Sequence, residues 1–299
     1  MSRYYKSDES ERLVQESYRK FLQYWPVPNQ QLRVPTREGE TFVVACGDPS
    51  LPALVLFHGG LTNSVVWMGD VAAWSKHFRV YAVDTIGEPG LSAPSRPALR
   101  SEAYALWLDD VLKGLSVSRA SMVGVSLGGW LALDYATRRP GIVDQLAVVC
   151  PGGVGRQKVA VLVKLLFLQM LGAAGKRKAA ELVLGRAPNN PSPAMKAFGD
   201  FLAMIRANFR PRRDRLSIFS DEALRGLTMP LLAIVGGRDV LLDSFETRDR
   251  LQRNVAHADV RFHPELGHFM PGQTHVILDF LLHGEPRQEE SVGGDVLPV

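Results

Sequence analysis

The chain has 299 residues, 46% of them hydrophobic, with 35 Lys and Arg against 31 Asp and Glu, a formal net charge of +4. That apolar fraction supports a substantial core and excludes an intrinsically disordered polymer. The length suits one α/β unit carrying an insertion. The slight basic excess gathers at Lys176-Arg177-Lys178 and at residues 210–215, and it reads as solvated helix faces and loops. No aromatic-interleaved basic face suggests a nucleic-acid partner. The two cysteines, Cys46 and Cys150, both end apolar runs and read as free thiols in a reducing compartment. Residues 1–12 are polar and lack the apolar core of a signal peptide. The longest apolar stretch, 159–171, is interrupted by Lys164 and Gln169 and is too short to span a bilayer. A cytoplasmic protein is therefore expected. Nothing in the composition fixes an oligomeric state.

Residues 11–25 read as an amphipathic helix with Leu13, Val14, Tyr18, Phe21, Leu22 and Trp25 on one side, ended by Pro26 and Pro28. Short β-branched and apolar runs follow at 41–46, 53–57, 79–84, 121–125, 146–150, 231–235 and 259–263. Most are continuous, as strands buried on both faces of a parallel sheet are. Between them lie helical patterns at 65–77, 101–115, 127–139 and 244–254, and a last one at 271–282. Such alternation predicts a mostly parallel central sheet with helices on both faces. Residues 151–225 break it, with helical patterns at 159–171, 176–184 and 193–208 and no convincing strand. The expected organisation is an N-terminal helix and linker over 1–30, a core formed by 31–150 and 226–283, a helical cap over 151–225, and a disordered tail over 284–299.

The strongest signal is Gly124-Val125-Ser126-Leu127-Gly128, a Gly-x-Ser-x-Gly run between an apolar strand and a helical stretch. In that context the serine sits on a strained turn at a helix N-terminus. Side chains two residues to either side would clash, which explains Gly124 and Gly128. A serine hydroxyl is a weak nucleophile. It needs a base, and the base needs an orienting carboxylate. Two such groups follow later strands in the order that this arrangement uses: Asp239 after 231–235 and Gly236-Gly237, and His268 after 259–263 and Gly267. Asp243 better suits an N-cap, His263 lies within a strand, His257 precedes it and His275 falls in the last helix. Upstream, His58-Gly59-Gly60-Leu61 closes strand 53–57. Its glycine-rich turn can present the Gly60 N–H to a developing oxyanion, with the Leu127 N–H as second donor and His58 holding the loop.

Taken in order, these motifs resemble the α/β-hydrolase superfamily in its cap-bearing branch, over roughly residues 31 to 283. The run Asp84-Thr85-Ile86-Gly87-Glu88-Pro89-Gly90-Leu91-Ser92 is similar to a family loop spaced Asp-x-x-Gly-x-Gly-x-Ser, with one residue added, a variant similar to some bacterial carboxylesterase-like members. Glu88 there reads as an exposed turn residue. A serine at the elbow, where dehalogenases and epoxide hydrolases of this family carry Asp, implies acyl transfer. The resemblance implies a carboxylesterase-like enzyme acting on a small or medium apolar ester. A carbon–carbon bond hydrolase of ring-cleavage diketones is an alternative, and a ligand-sensing protein without catalysis a third. Those diketone hydrolases often carry Trp directly after the histidine, where this chain has Phe269. No metal site and no cofactor are expected, since ligand spacings and a dinucleotide fingerprint are both missing.

Overall fold

The computed structural model describes residues 4–185, 190–212 and 214–284. Helix α1, Asp8–Leu22, opens with the Ser7 side chain accepting from Ser10 N–H and carries acidic residues in its first turn and basic ones in its last. Both features match the helix dipole and fix a start three residues before the one expected. Val14, Tyr18 and Leu22 are buried, whereas Leu13 faces solvent.

Strands β1 (Asn29–Thr36) and β2 (Gly39–Cys46) form an antiparallel hairpin. The remaining strands are β3 (Ala53–Phe57), β4 (Arg79–Val83), β5 (Ala120–Val125), β6 (Val143–Val149), β7 (Leu231–Gly236) and β8 (Ala258–His263). They build an eight-stranded sheet in the order β1-β2-β4-β3-β5-β6-β7-β8, parallel from β4 onwards. Strand β1 was not anticipated. As an edge strand it is mostly solvated, carries Pro35 and shows no apolar run.

In chain order the helices after α1 are α2 (Val71–Trp74), α3 (Ala103–Gly114), α4 (Leu127–Arg138), α5 (Val159–Met170), α6 (Gly172–Leu184), α7 (Pro193–Asn208), α8 (Asp221–Arg225), α9 (Ser244–Asn254) and α10 (Thr274–His283). The single helix expected over 65–77 is instead a 3-10 segment, Ser64–Gly69, followed by the one-turn α2. Alternate residues of each central strand feed two cores. Val55, Phe57 and Met122 pack with Trp107 and Trp130 on one face. Leu54, Leu56 and Val123 pack with Tyr18, Trp74 and Ile205 on the other. Burying each large side chain contributes roughly 1.5–3 kcal/mol, which makes this two-sided burial the main force holding the sheet.

Residues 151–225 hold α5 to α8 and no strand among the described residues. Helix α1 packs on α7, with the Phe21 and Phe201 rings 4.8 Å apart, while Tyr18 reaches the core by donating to Asp84. The N-terminal segment is thus tied to both. The tail expected over 284–299 lies outside the described residues beyond Gly284. No helix of the described residues is long and apolar enough to cross a membrane. Both cysteines are free and buried.

Candidate active site

The sheet order doubles back around β3, where β4 lies on one side and β5 on the other. Loops leaving the C-terminal ends of such neighbouring strands diverge and leave a crevice. Ser126 stands there, between β5 and α4, with φ 54° and ψ −110°. That conformation costs a non-glycine residue on the order of 1–2 kcal/mol. It is held because Ser126 N–H donates to Val149 O at 2.9 Å, and Ser126 O accepts from Trp130 N–H and Gly152 N–H. The flanking glycines are sterically required. A Cβ on Gly124 would lie 2.3 Å from Gly128 O, and one on Gly128 would lie 2.0 Å from Phe57 O.

The structure brings Ser126, His268 and Asp239 together. His268 Nε2 is 2.9 Å from Ser126 Oγ, and its Nδ1 is 2.7 Å from Asp239 Oδ2. A carboxylate only accepts, so Nδ1 carries the hydrogen and Nε2 is left to accept from Ser126 Oγ–H. Asp239 is buried, and its Oδ1 accepts from Leu241 N–H at 2.7 Å and Leu242 N–H at 3.0 Å. Four lone-pair directions on a buried carboxylate are thus largely occupied, which is what makes burying its charge tolerable. Cys150 Sγ also lies within 4.8 Å of these acid and imidazole atoms. Burial, together with the Asp239 charge, pushes its thiol well above the ordinary range. A neutral thiol beside an already committed carboxylate and imidazole is a poor metal-ligand set.

Of the competitors, Asp243 caps α9 by accepting from Glu246 N–H at 3.0 Å. His257 contacts Met229 O, His263 belongs to β8 and His275 to α10. None of these reaches Ser126.

Opposite Ser126, the turn after β3 runs close by. A Cβ on Gly59 would sit 3.7 Å from the Ser126 Cβ, and one on Gly60 would sit 3.7 Å from Leu127 Cδ2. Leu127 opens α4, so its N–H is one of the unpaired donors of a helix start. Among the described residues neither Gly60 N–H nor Leu127 N–H has an acceptor. His58 is fully buried. Its Nε2 accepts from Thr85 N–H at 3.0 Å, which leaves Nδ1–H to donate to Gly59 O at 2.8 Å.

Two sequence expectations are corrected nearby. Glu88 is no exposed turn residue. It is buried, and its Oε2 accepts from Leu61 N–H at 2.8 Å. Burial raises its carboxyl above the usual range, opposed by the Leu61 hydrogen bond and by the charges of Arg96 and Arg212. Arg212, expected on a solvated loop, has a buried side chain that hydrogen-bonds the Tyr104 hydroxyl and Pro97 O. The residue added between the glycines of the 84–92 loop was the only signal for Glu88. Nothing in the sequence marked Arg212.

The sequence pattern of the alpha/beta hydrolase family matches residues 54–280. The chain belongs to that family. An uncharacterised carboxylesterase, nap, of Bacillus subtilis is 30% identical over 271 residues, 88% of each chain. Carboxylesterase YbfK of the same organism is 38% identical over 136 residues, 46% of each chain. Among solved structures, the naproxen esterase of Bacillus subtilis superposes with a TM-score of 0.80 at 27% identity, covering 92% of this chain and 99% of the other. The fold is accordingly the α/β-hydrolase fold that the motifs implied.

Proposed function

We propose that this chain is a serine hydrolase of carboxylic esters that works through an acyl-enzyme on Ser126. The relay from Ser126 Oγ through the His268 ring to buried Asp239, at 2.9 and 2.7 Å, carries the reading. The carboxylesterase names of its relatives support the ester as the bond cleaved.

Ser126 Oγ attacks the ester carbonyl carbon while its proton passes to His268 Nε2. The carbonyl oxygen becomes an oxyanion facing the Gly60 and Leu127 N–H groups, which have no competing acceptor among the described residues. The ester C–O bond then breaks, and His268 returns the proton to the departing alcohol oxygen. Water, deprotonated by the same Nε2, attacks the acyl-enzyme and frees the acid and Ser126. Asp239 holds the ring in one tautomer and stabilises its cationic form.

Residues 151–225 serve as a cap over this site. Support comes from the start of α5, where Lys158 N–H donates to Leu241 O and Lys158 Nζ to Asp239 O, so the helical excursion rises directly beside the acid. Apolar side chains on α5 suit a small or medium apolar ester. The two buried free thiols suit a reducing cytoplasm.

The test is a fluorophosphonate probe and a panel of p-nitrophenyl esters of graded acyl length. Wild type should label and turn over esters, and Ser126→Ala should do neither. A folded wild-type protein that resists the probe overturns the nucleophile assignment. Preferential turnover of a ring-cleavage diketone overturns the ester assignment.

A further inference from the structure

The turn that carries Gly60 is pinned peptide by peptide. In the Gly59–Gly60 peptide the carbonyl is held: Gly59 O accepts from His58 Nδ1–H at 2.8 Å and from Thr62 Oγ1–H at 2.7 Å. Because a trans peptide points its N–H opposite its C=O, these two donors aim the Gly60 N–H away from themselves. In the next peptide the N–H is held: Leu61 N–H donates to Glu88 Oε2 at 2.8 Å. Leu61 itself has φ 59°, a left-handed conformation that a leucine leaves unless something holds it. Gly60, with no side chain to restrict it, swings freely if either neighbouring peptide is released.

Glu88 comes from the loop after β4, which is itself fastened to the turn at three other points. Thr85 N–H donates to His58 Nε2, Asn63 Nδ2–H donates to Pro89 O, and Ser64 N–H and Oγ–H donate to Asp84 Oδ1. Those three fix where the two loops lie. Of this loop's contacts among the described residues, the Glu88 carboxylate is the one that hydrogen-bonds a peptide of Gly60 directly. Its cost is high, since it is a buried acid, and a buried acid whose hydrogen-bond partner is one strained backbone N–H calls for a role.

We propose that Glu88 is a positioning residue for the oxyanion site: by holding Leu61 N–H it fixes the direction of the Gly60 N–H during acyl transfer. The inference rests on the ester-hydrolase reading above. It predicts that what matters at position 88 is a hydrogen-bond acceptor of this length, not the charge. Glu88→Gln keeps such an acceptor in its amide oxygen, and Glu88→Met fills the same volume without one.

The experiment measures kcat and KM for a p-nitrophenyl ester, thermal stability, and inhibition by an alkyl trifluoromethyl ketone, whose hemiketal with Ser126 places an oxyanion in the site. Glu88→Met should lose about 10- to 100-fold in kcat with KM within about 3-fold, somewhat less than the roughly 10²–10³-fold that removing an oxyanion donor outright costs. Its inhibition constant for the ketone should rise by a similar factor, and Glu88→Gln should restore both to within about 5-fold of wild type. Retained kcat and ketone affinity in Glu88→Met overturn the inference, as does an equal loss in both variants. Should Glu88→Met not fold, Glu88→Ala takes its place. If that variant too loses its folded state while Glu88→Gln behaves as wild type, Glu88 is structural and the inference fails. Wild-type turnover that depends on Ser126 but not on Glu88 sinks this inference alone, whereas absence of turnover in wild type sinks the reading beneath it.

Discussion

The loops around Ser126 and the helical hairpin α5–α6 are built in opposite ways. In the loops nearly every polar group is committed. Asp84 alone accepts from Tyr18 Oη–H, Ser64 N–H, Ser64 Oγ–H and Leu91 N–H, and Asp239 accepts from two backbone N–H groups and His268. On α5, by contrast, Val163, Phe167 and Met170 are 62%, 61% and 78% exposed, and the helix packs mainly on α6. The first region spends burial and strain on fixing a few atoms, as electrostatic preorganisation demands. The second leaves apolar surface uncovered, which suits contact with an apolar substrate more than fold stability. The difference separates the proposed chemistry from the proposed contribution of the cap, the choice of acyl group.

Asp239→Asn should break the first region most sharply. The amide still accepts from Leu241 and Leu242 N–H, so folding should survive. It no longer favours the Nδ1–H tautomer, and kcat should fall by about 10⁴-fold. Steady-state kinetics beside an unchanged melting curve would check this, and near-normal kcat would mean the acid lies elsewhere.

Tyr18→Phe should act on stability instead. It removes one donor from buried Asp84, at a cost of about 1–2 kcal/mol in denaturant unfolding, with kcat nearly unchanged because the other latches between the loops remain. A large drop in kcat would show that α1 holds the site itself and not only the fold.

Phe167→Ala should have the smallest effect on stability, under about 0.5 kcal/mol, as expected for an exposed side chain. Its effect should appear in KM for the longer acyl esters of the panel. Equal KM shifts at every chain length, or none, would place α5 off the acyl path.

Much of this was readable from the chain. Among the described residues, seven of eight strands announced themselves as apolar runs, and α7 and α9 begin and end at the residues expected from their caps and breakers. Ser126, Asp239 and His268 were legible because each follows a strand of a parallel sheet, so chain order stands in for spatial order. The unread parts share a cause. Strand β1 is solvated and draws its partner from hairpin geometry instead of an apolar pattern. Residues 65–77 carry a helical pattern yet form a 3-10 segment and one helical turn, where Asn63 accepts from Val65 N–H and Asp84 draws in Ser64. Glu88 and Arg212 are charged residues in loops, and in local sequence they look like any solvated turn.

The sequence by itself determined most of the element order, the elbow at Ser126 and the candidate acid and base that follow it, because these depend on local periodicity and on glycines required within a few residues. Only the tertiary structure decided that α1 bridges α7 and the core, and that Glu88 turns inward to hold the Leu61 N–H beside Gly60. Those contacts join residues far apart in the chain. A buried charge becomes tolerable only once its partners have been folded into place around it.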